Sequence, residues 1–164
     1  MLTKEKAVGN YLIDDECLKS LRMNSHDRET MIAFLQEIHR IKGYSIDTFF
    51  LACSIIDRFL QELTERREEA PHLALLATVS LMIAAKLSEP VKPCFEYTIR
   101  ILPPSLRKKI TEKRMIKLEL KIIEVLDFDL LSDGPLPFLD RYAYLLNTEE
   151  DIESGRAKAL LSSA

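Results

Sequence analysis

The sequence predicts an all-α protein built around one buried central helix. Only 4 Gly and 7 Pro occur in 164 residues, and helical periodicity recurs where strand-like alternation does not. Residues 73–86 carry no charge before Lys86, and their apolar side chains cover every side of a helical wheel. A helix that is apolar all round is buried all round, and this run is shorter than the roughly 20 residues of a membrane span. We therefore expect a central helix, at about 73–87, that other helices surround.

Composition indicates one ordinary globular domain. Hydrophobic residues make up 47% of the chain and charged residues 30%, which is not a disordered composition. The formal net charge of −3 lacks the basic footprint typical of nucleic-acid binding. Cys17, Cys53 and Cys94 lie far apart, which favours buried reduced thiols over disulfides or a zinc site. Without the apolar segment of a signal peptide near its start, the chain is expected to be intracellular.

The first half of the chain predicts three amphipathic helices. Apolar residues spread over 4–22 predict the first, and residues 24–27 offer capping side chains for the second, which Gly43 ends. Ser45 opens a third helix of about five turns, with the strongest i, i+3, i+4 pattern in the chain. The predicted apolar positions of the second and third helices are Met31, Phe34, Leu35, Ile38 and Ile41, and Ile46, Phe49, Phe50, Cys53, Ile56, Phe59, Leu60 and Leu63.

The second half follows a charged connector at 64–72, which we expect to be solvated. Pro90 ends the central helix, and a short helix at 94–101 is broken by a proline pair. Thr111 caps another helix, and a further helix begins at Pro137. The predicted inward positions of the helix after Thr111 are Met115, Ile116, Leu120, Ile123 and Leu126.

Two charges of opposite sign lie on apolar helix faces. Arg28 precedes Met31 by three residues, and Asp57 follows Cys53 by four, so both project from the apolar stripes of their helices. An unpaired buried charge costs several kcal/mol, so we expect Arg28 and Asp57 to pair across two packed helices. A catalytic aspartate is the alternative, but no histidine lies near it in sequence to act with it.

Lys86 and Glu119 form a second set of charges beside apolar surfaces. Lys86 is the first charge after the long apolar run, and Glu119 lies among the apolar positions of the helix after Thr111. The two side chains either satisfy each other or face outwards together and bind a partner's backbone groups at an apolar interface. The pattern alone favours neither alternative.

The sequence contains no persuasive catalytic site. His26, His39 and His72 have no metal-binding spacing, and the glycine-rich phosphate loops and the GxSxG nucleophile motif are missing. The acidic runs at 14–16 and 149–151 are typical of solvated faces or helix starts. We therefore expect a non-catalytic protein with no cofactor and no metal.

Three motifs in order resemble the N-terminal cyclin box of the cyclin family. They are SIDTFFLACSIIDRFL (45–60), LMIAAKLSEP (81–90) and LELKIIEVLDFDL (118–130), and PLPFLDRY follows at 135–142. The pattern is most similar to the mitotic and S-phase cyclins, and it implies a five-helix bundle with flanking N- and C-terminal helices.

The resemblance also implies a division of the chain. Residues 26–146 would form the cyclin box, after an N-terminal helix or extension at 1–25. Residues 147–164 would be a tail or the start of a truncated second box.

The resemblance implies roles for the charges described above. Arg28 and Asp57 match the buried ion pair of the family. Four other positions match those at which cyclins hold the C helix and activation segment of a cyclin-dependent kinase: Lys86, Leu87, Glu119 and Ile123. A degenerate substrate-docking patch would comprise Met31, Phe34, Glu37 and Leu73. Asp27 and Ala74 depart from the usual residues of that patch, and the charge of Asp27 disfavours the usual docking peptide.

The leading hypothesis is a regulatory subunit that binds and activates a cyclin-dependent Ser/Thr kinase in cell-cycle control, in the nucleus, the cytoplasm or both. It predicts that Lys86 and Glu119 are exposed side by side, and kinase substrates or inhibitors are further partners. The alternative is a cyclin-box adaptor that binds other proteins without activating a kinase.

A third hypothesis is a nucleic-acid-associated factor of the same fold. Such a factor needs a basic face, and the negative net charge of the chain argues against one. We expect no nucleic-acid or membrane partner. Candidates for a basic face are Arg66, Arg67, Arg107, Lys108 and Lys109.

Overall fold

The computed structural model describes residues 15–132, 139 and 141–142. All regular secondary structure in this part of the chain is helical, which confirms the all-α class. Residues 1–14, the helix start expected at Pro137 and the tail at 147–164 lie outside it. The helices are α1 (Asp15–Ser20), α2 (Ser25–Lys42), α3 (Ile46–Arg66), α4 (Leu73–Ser88), α5 (Phe95–Ile101), α6 (Pro104–Arg107) and α7 (Glu112–Val125).

Helix α4 is the centre of the fold, as predicted. Every residue from 76 to 85 is buried, including Thr78 and Ser80, because α2, α3 and α7 all pack against this helix. The hydroxyl of Thr78 donates to the carbonyl of Ala74 one turn earlier, so it stays hydrogen-bonded inside the core. The charge-free run at 73–85 therefore forms the buried axis of the bundle.

Side-chain caps determine where α2 and α3 begin and end. Asn24 and Asp27 form a capping box, in which each side chain accepts the other residue's backbone N–H. Gly43 ends α2 in the left-handed conformation, with φ of 65°, which glycine adopts without the Cβ clash of other residues. The Ser45 side chain then accepts the Thr48 N–H at the start of α3.

Glu89 fastens the start of α3 to the end of α4. Its carboxylate accepts the backbone N–H of Ser45 at 2.7 Å and the hydroxyl of Thr48 at 2.5 Å. Burial of the carboxylate raises its pKa, but these hydrogen bonds outweigh that effect, so the pKa of Glu89 lies below its ordinary value.

Some of the predicted core positions are wrong. Ile116 and Leu120 were expected to face inwards, yet they are 40% and 62% exposed. Helix α7 instead buries a stripe at i, i+3, i+7 and i+10, and the predicted set mixed two faces of the helix. Ile41 and Cys94 are exposed as well, and α3 continues to Arg66, into the expected connector. The buried residues of α7 are Met115, Leu118, Ile122 and Val125.

Candidate functional site

Arg28 and Asp57 meet between α2 and α3. Arg28 donates from Nε to Oδ1 of Asp57 at 3.1 Å and from Nη2 to Oδ2 at 2.7 Å, a two-point contact between guanidinium and carboxylate. The Asp57 side chain is 7% exposed and that of Arg28 26% exposed. Burial raises the pKa of the Asp57 carboxyl, and the hydrogen bonds from Arg28 oppose that rise. No catalytic partner is needed to explain this aspartate.

Lys86 and Glu119 meet at the edge of the bundle. Lys86 lies in the last turn of α4 and Glu119 in the middle of α7, with 2.5 Å between Nζ and Oε1. Their side chains are 35% and 15% exposed, so the pair is partly buried at the surface. The Lys86 ammonium also lies 5.0 Å from the centre of the Phe95 ring. The two charges lie side by side, as the activating-subunit hypothesis predicts, but they are not both exposed as it also predicts: they bind each other, and the Glu119 side chain is only 15% exposed.

Exposed apolar side chains surround this ion pair. Leu87 is 44% exposed beside Lys86. Ile116, Leu120 and the half-buried Ile123 recur at i, i+4 and i+7 along one side of α7. We call Lys86, Leu87, Ile116, Glu119, Leu120 and Ile123 the α4–α7 surface. The sequence did not predict Ile116 and Leu120 as surface residues, because apolar side chains at helical spacing are typical of buried core positions.

A groove of about 600 Å³ runs beside the start of α4, between α2 and the segments around α1 and α6. Met31, Phe34 and Leu73 of the predicted docking patch line it, together with Asp27 and Ala74. Glu37 is not among the lining residues, and its carboxylate accepts two hydrogen bonds from Arg40, at 2.8 and 3.0 Å. The structure therefore brings three of the four predicted patch residues together.

The basic candidates fall into two separate groups. Arg66 donates to the carbonyl of Val125 at the C-terminal end of α7, whereas Arg114, near the N-terminal end, donates to the carbonyl of Lys109. Arg66 and Arg67 are thus at the opposite end of α7 from Arg107, Lys108 and Lys109. They do not form the continuous basic stripe that a nucleic-acid backbone needs.

Two other kinds of feature are absent from residues 15–132, 139 and 141–142. No group of three or more His, Cys, Asp and Glu side chains in this range could hold a metal ion. Each helix described there is too short or too polar to span a lipid bilayer. The pKa of the Cys53 thiol is raised to about 12, mainly by burial, which makes this cysteine a poor nucleophile.

Comparison with known proteins places these features in one family. A family model described as the cyclin N-terminal domain matches residues 1–131. The chain is similar to the G2/mitotic-specific cyclin-B3 of Canis lupus familiaris, with 27% identity over 84% of this chain and 10% of that protein. It is also similar to the G2/mitotic-specific cyclin-B of Drosophila melanogaster, with 28% identity over 76% of this chain and 22% of that protein.

A third similar protein is the G2/mitotic-specific cyclin-4 of Saccharomyces cerevisiae, with 32% identity over 70% of this chain and 23% of that protein. The chain thus spans less than a quarter of the length of each of these three relatives.

Proposed function

Because this chain belongs to the cyclin family, we propose that it binds a cyclin-dependent Ser/Thr protein kinase and activates it allosterically, as a non-catalytic regulatory subunit in cell-cycle control. The observation that carries the proposal is the α4–α7 surface, where an ion pair lies among exposed apolar side chains. Protein–protein interfaces typically combine an apolar contact area with a few polar groups at defined positions.

The ion pair suits binding to the backbone of a partner helix. The Lys86 ammonium has three donors and the Glu119 carboxylate has two acceptor oxygens, while the bond between them uses one of each. The remaining donors and acceptors can bind partner carbonyl and N–H groups without breaking the pair. The contact with Glu119 also holds the lysine side chain in place before binding, which reduces the conformational entropy lost on association.

Activation follows if the chain binds the active arrangement of the kinase more tightly than the inactive one. To shift the ratio of active to inactive kinase from 1:99 to 99:1, the chain must bind the active arrangement about 10⁴-fold more tightly than the inactive one. Catalysis by the kinase depends on a Lys–Glu pair that requires correct placement of its C helix, and on correctly placed magnesium-binding residues. A partner that holds that helix raises activity and contributes no catalytic atom of its own.

The Arg28–Asp57 pair supports this arrangement from inside the domain. It joins α2 to α3, and both of these helices pack against α4, which carries Lys86. We assign the pair a structural role within the domain.

The proposal is tested by phosphorylation of a histone substrate by purified cyclin-dependent kinases, with and without the chain. Leu120→Asp is the informative variant, because this side chain is 62% exposed and its replacement does not open the core. We expect the wild-type chain to activate at least one kinase and the variant to lose at least about tenfold in affinity, since an unpaired carboxylate would be buried in the interface. The control is Ile41→Asp, at an exposed apolar position on α2. Equal activation by Leu120→Asp and the control would contradict the proposal.

The groove favours a second candidate function, a cyclin-box adaptor that binds other proteins without activating a kinase. An apolar groove of about 600 Å³ is large enough for several side chains of a bound peptide. The same assay separates the two functions. An adaptor would capture a partner through the groove and leave kinase activity unchanged, and Phe34→Ala would weaken that capture.

A further inference from the structure

An exposed basic surface lies at the end of α6 and along the first half of α7. All six of its side chains are exposed, and within residues 103–118 only Glu112 is acidic. The whole chain, by contrast, has a net charge of −3. No carboxylate among the described residues forms an ion pair with any of the six. We call this set the basic surface: Arg107, Lys108, Lys109, Lys113, Arg114 and Lys117.

Hydrogen bonds hold its two arginines without neutralising them. Arg107 donates from Nε to the carbonyl of Leu102 at 2.8 Å and from Nη2 to the carbonyl of Arg100 at 2.7 Å. Arg114 donates from Nη1 to the carbonyl of Lys109 at 2.7 Å. The guanidinium groups are therefore fixed, while their positive charge stays available to a partner. Fixed like charges repel one another, and bound carboxylates or phosphates would relieve that repulsion.

The basic surface adjoins the groove beside α4. Leu106 lines that groove, and Arg107 and Lys108 follow directly in sequence. An extended peptide with apolar side chains in the groove would therefore carry its neighbouring residues onto the basic surface. The Asp27 carboxylate, which also lines the groove, accepts the Asn24 N–H of the capping box, so one of its oxygens already has a hydrogen-bond partner within the chain.

We propose that the basic surface binds an acidic segment of a partner protein, rich in Asp and Glu or in phosphorylated Ser and Thr. The inference goes beyond kinase activation and does not depend on it. Residues 103–118 contain no aromatic side chain on which a nucleic-acid base could stack. The net negative charge of the chain weakens attraction of a long polyanion, whereas a short acidic segment senses mainly the local charge.

The test is fluorescence anisotropy with the full chain and three labelled peptides. All share one apolar half with two leucines, and the other half carries four glutamates, two phosphoserines or four lysines. We expect the glutamate and phosphoserine peptides to bind and the lysine peptide not to bind. Raising the NaCl concentration from about 50 to about 300 mM should weaken binding severalfold, because exposed charges are screened. The ratio of the first two affinities distinguishes carboxylates from phosphates as the preferred anion.

The decisive variant is Lys108→Glu with Lys109→Glu, two exposed residues whose side chains form no hydrogen bond or ion pair with described residues. We expect affinity for the glutamate peptide to fall at least about tenfold, with an unchanged circular dichroism spectrum. The matched control is Lys19→Glu with Arg67→Glu, the same charge change at two exposed positions outside residues 103–118. Binding by the control should match wild type.

Two outcomes would overturn the proposal. One is a failure of either affinity comparison: the wild-type chain binds the glutamate and lysine peptides equally, or the Lys108→Glu/Lys109→Glu variant binds the glutamate peptide as tightly as wild type does. The other is binding of a 20-base-pair DNA duplex, abolished by Lys108→Glu/Lys109→Glu, when no peptide binds (an ordinary duplex probe of about two helical turns).

Discussion

Lys86 of α4 and Glu119 of α7 form an ion pair at the edge of the bundle, with 2.5 Å between Nζ and Oε1. A surface ion pair alone contributes little to stability, typically below about 1 kcal/mol. This pair is partly buried and lies among exposed leucine and isoleucine side chains, which water solvates poorly. We therefore propose that this pair contributes to binding a partner as well as to the stability of the isolated domain.

The Arg28–Asp57 pair predicts an asymmetric response to mutation. Asp57→Ala should lower the free energy of unfolding by about 2–3 kcal/mol, because it leaves the partly buried Arg28 guanidinium without its carboxylate. The double variant Arg28→Met/Asp57→Leu should lose less than Asp57→Ala, since it removes both charges and fills the space. Urea unfolding followed by circular dichroism measures both values. A double variant less stable than the single one would contradict the structural role assigned to the pair.

Glu89 predicts a dependence of stability on pH. Its pKa in the folded chain lies below the ordinary value of 4.5, although burial raises it, because Thr48 and Ser45 donate to the ionised carboxylate. A depressed folded-state pKa gives stability that is present above about 4.5 and lost as the pH falls through the folded-state value. Glu89→Gln should therefore be less stable than wild type at pH 7, and the difference should shrink below pH 4.5. Thermal unfolding of both proteins between pH 7 and pH values below 4.5 measures this difference in stability. A difference that grows as the pH falls would contradict the prediction.

The sequence predicts the bundle well because its strongest signals are local. The charge-free run at 73–85 determines the central helix, and Asn24, Gly43 and Ser45 determine the boundaries of α2 and α3 through caps that involve only neighbouring residues. The contact between Arg28 and Asp57 follows from the cost of burying a single charge. Each of these inferences needs no knowledge of how the helices are arranged in space.

The candidate site was predicted less completely, for a physical reason. The residues of α7 that make the exposed apolar side, Ile116 and Leu120, have the same chemistry and helical spacing as core residues. Only the packing of α7 against α4 decides which of its two apolar faces is buried. Of the basic surface, the sequence predicts only Arg107, Lys108 and Lys109 as candidates for a basic face, because Lys113, Arg114 and Lys117 are spread along α7 and do not form a run.

The measurement that tests the central claim most directly is kinase activation by a charge-swapped chain, Lys86→Glu with Glu119→Lys. The swap keeps an ion pair within the chain but reverses its polarity towards a partner. The matched control is Lys121→Glu with Glu68→Lys, which swaps a second ion pair, 2.6 Å long, that also involves α7. We expect both variants to fold, the control to activate the kinase as wild type does, and the Lys86/Glu119 swap to lose at least about tenfold in activation at fixed concentration. Full activation by the Lys86/Glu119 swap would contradict the claim that this pair contacts the kinase.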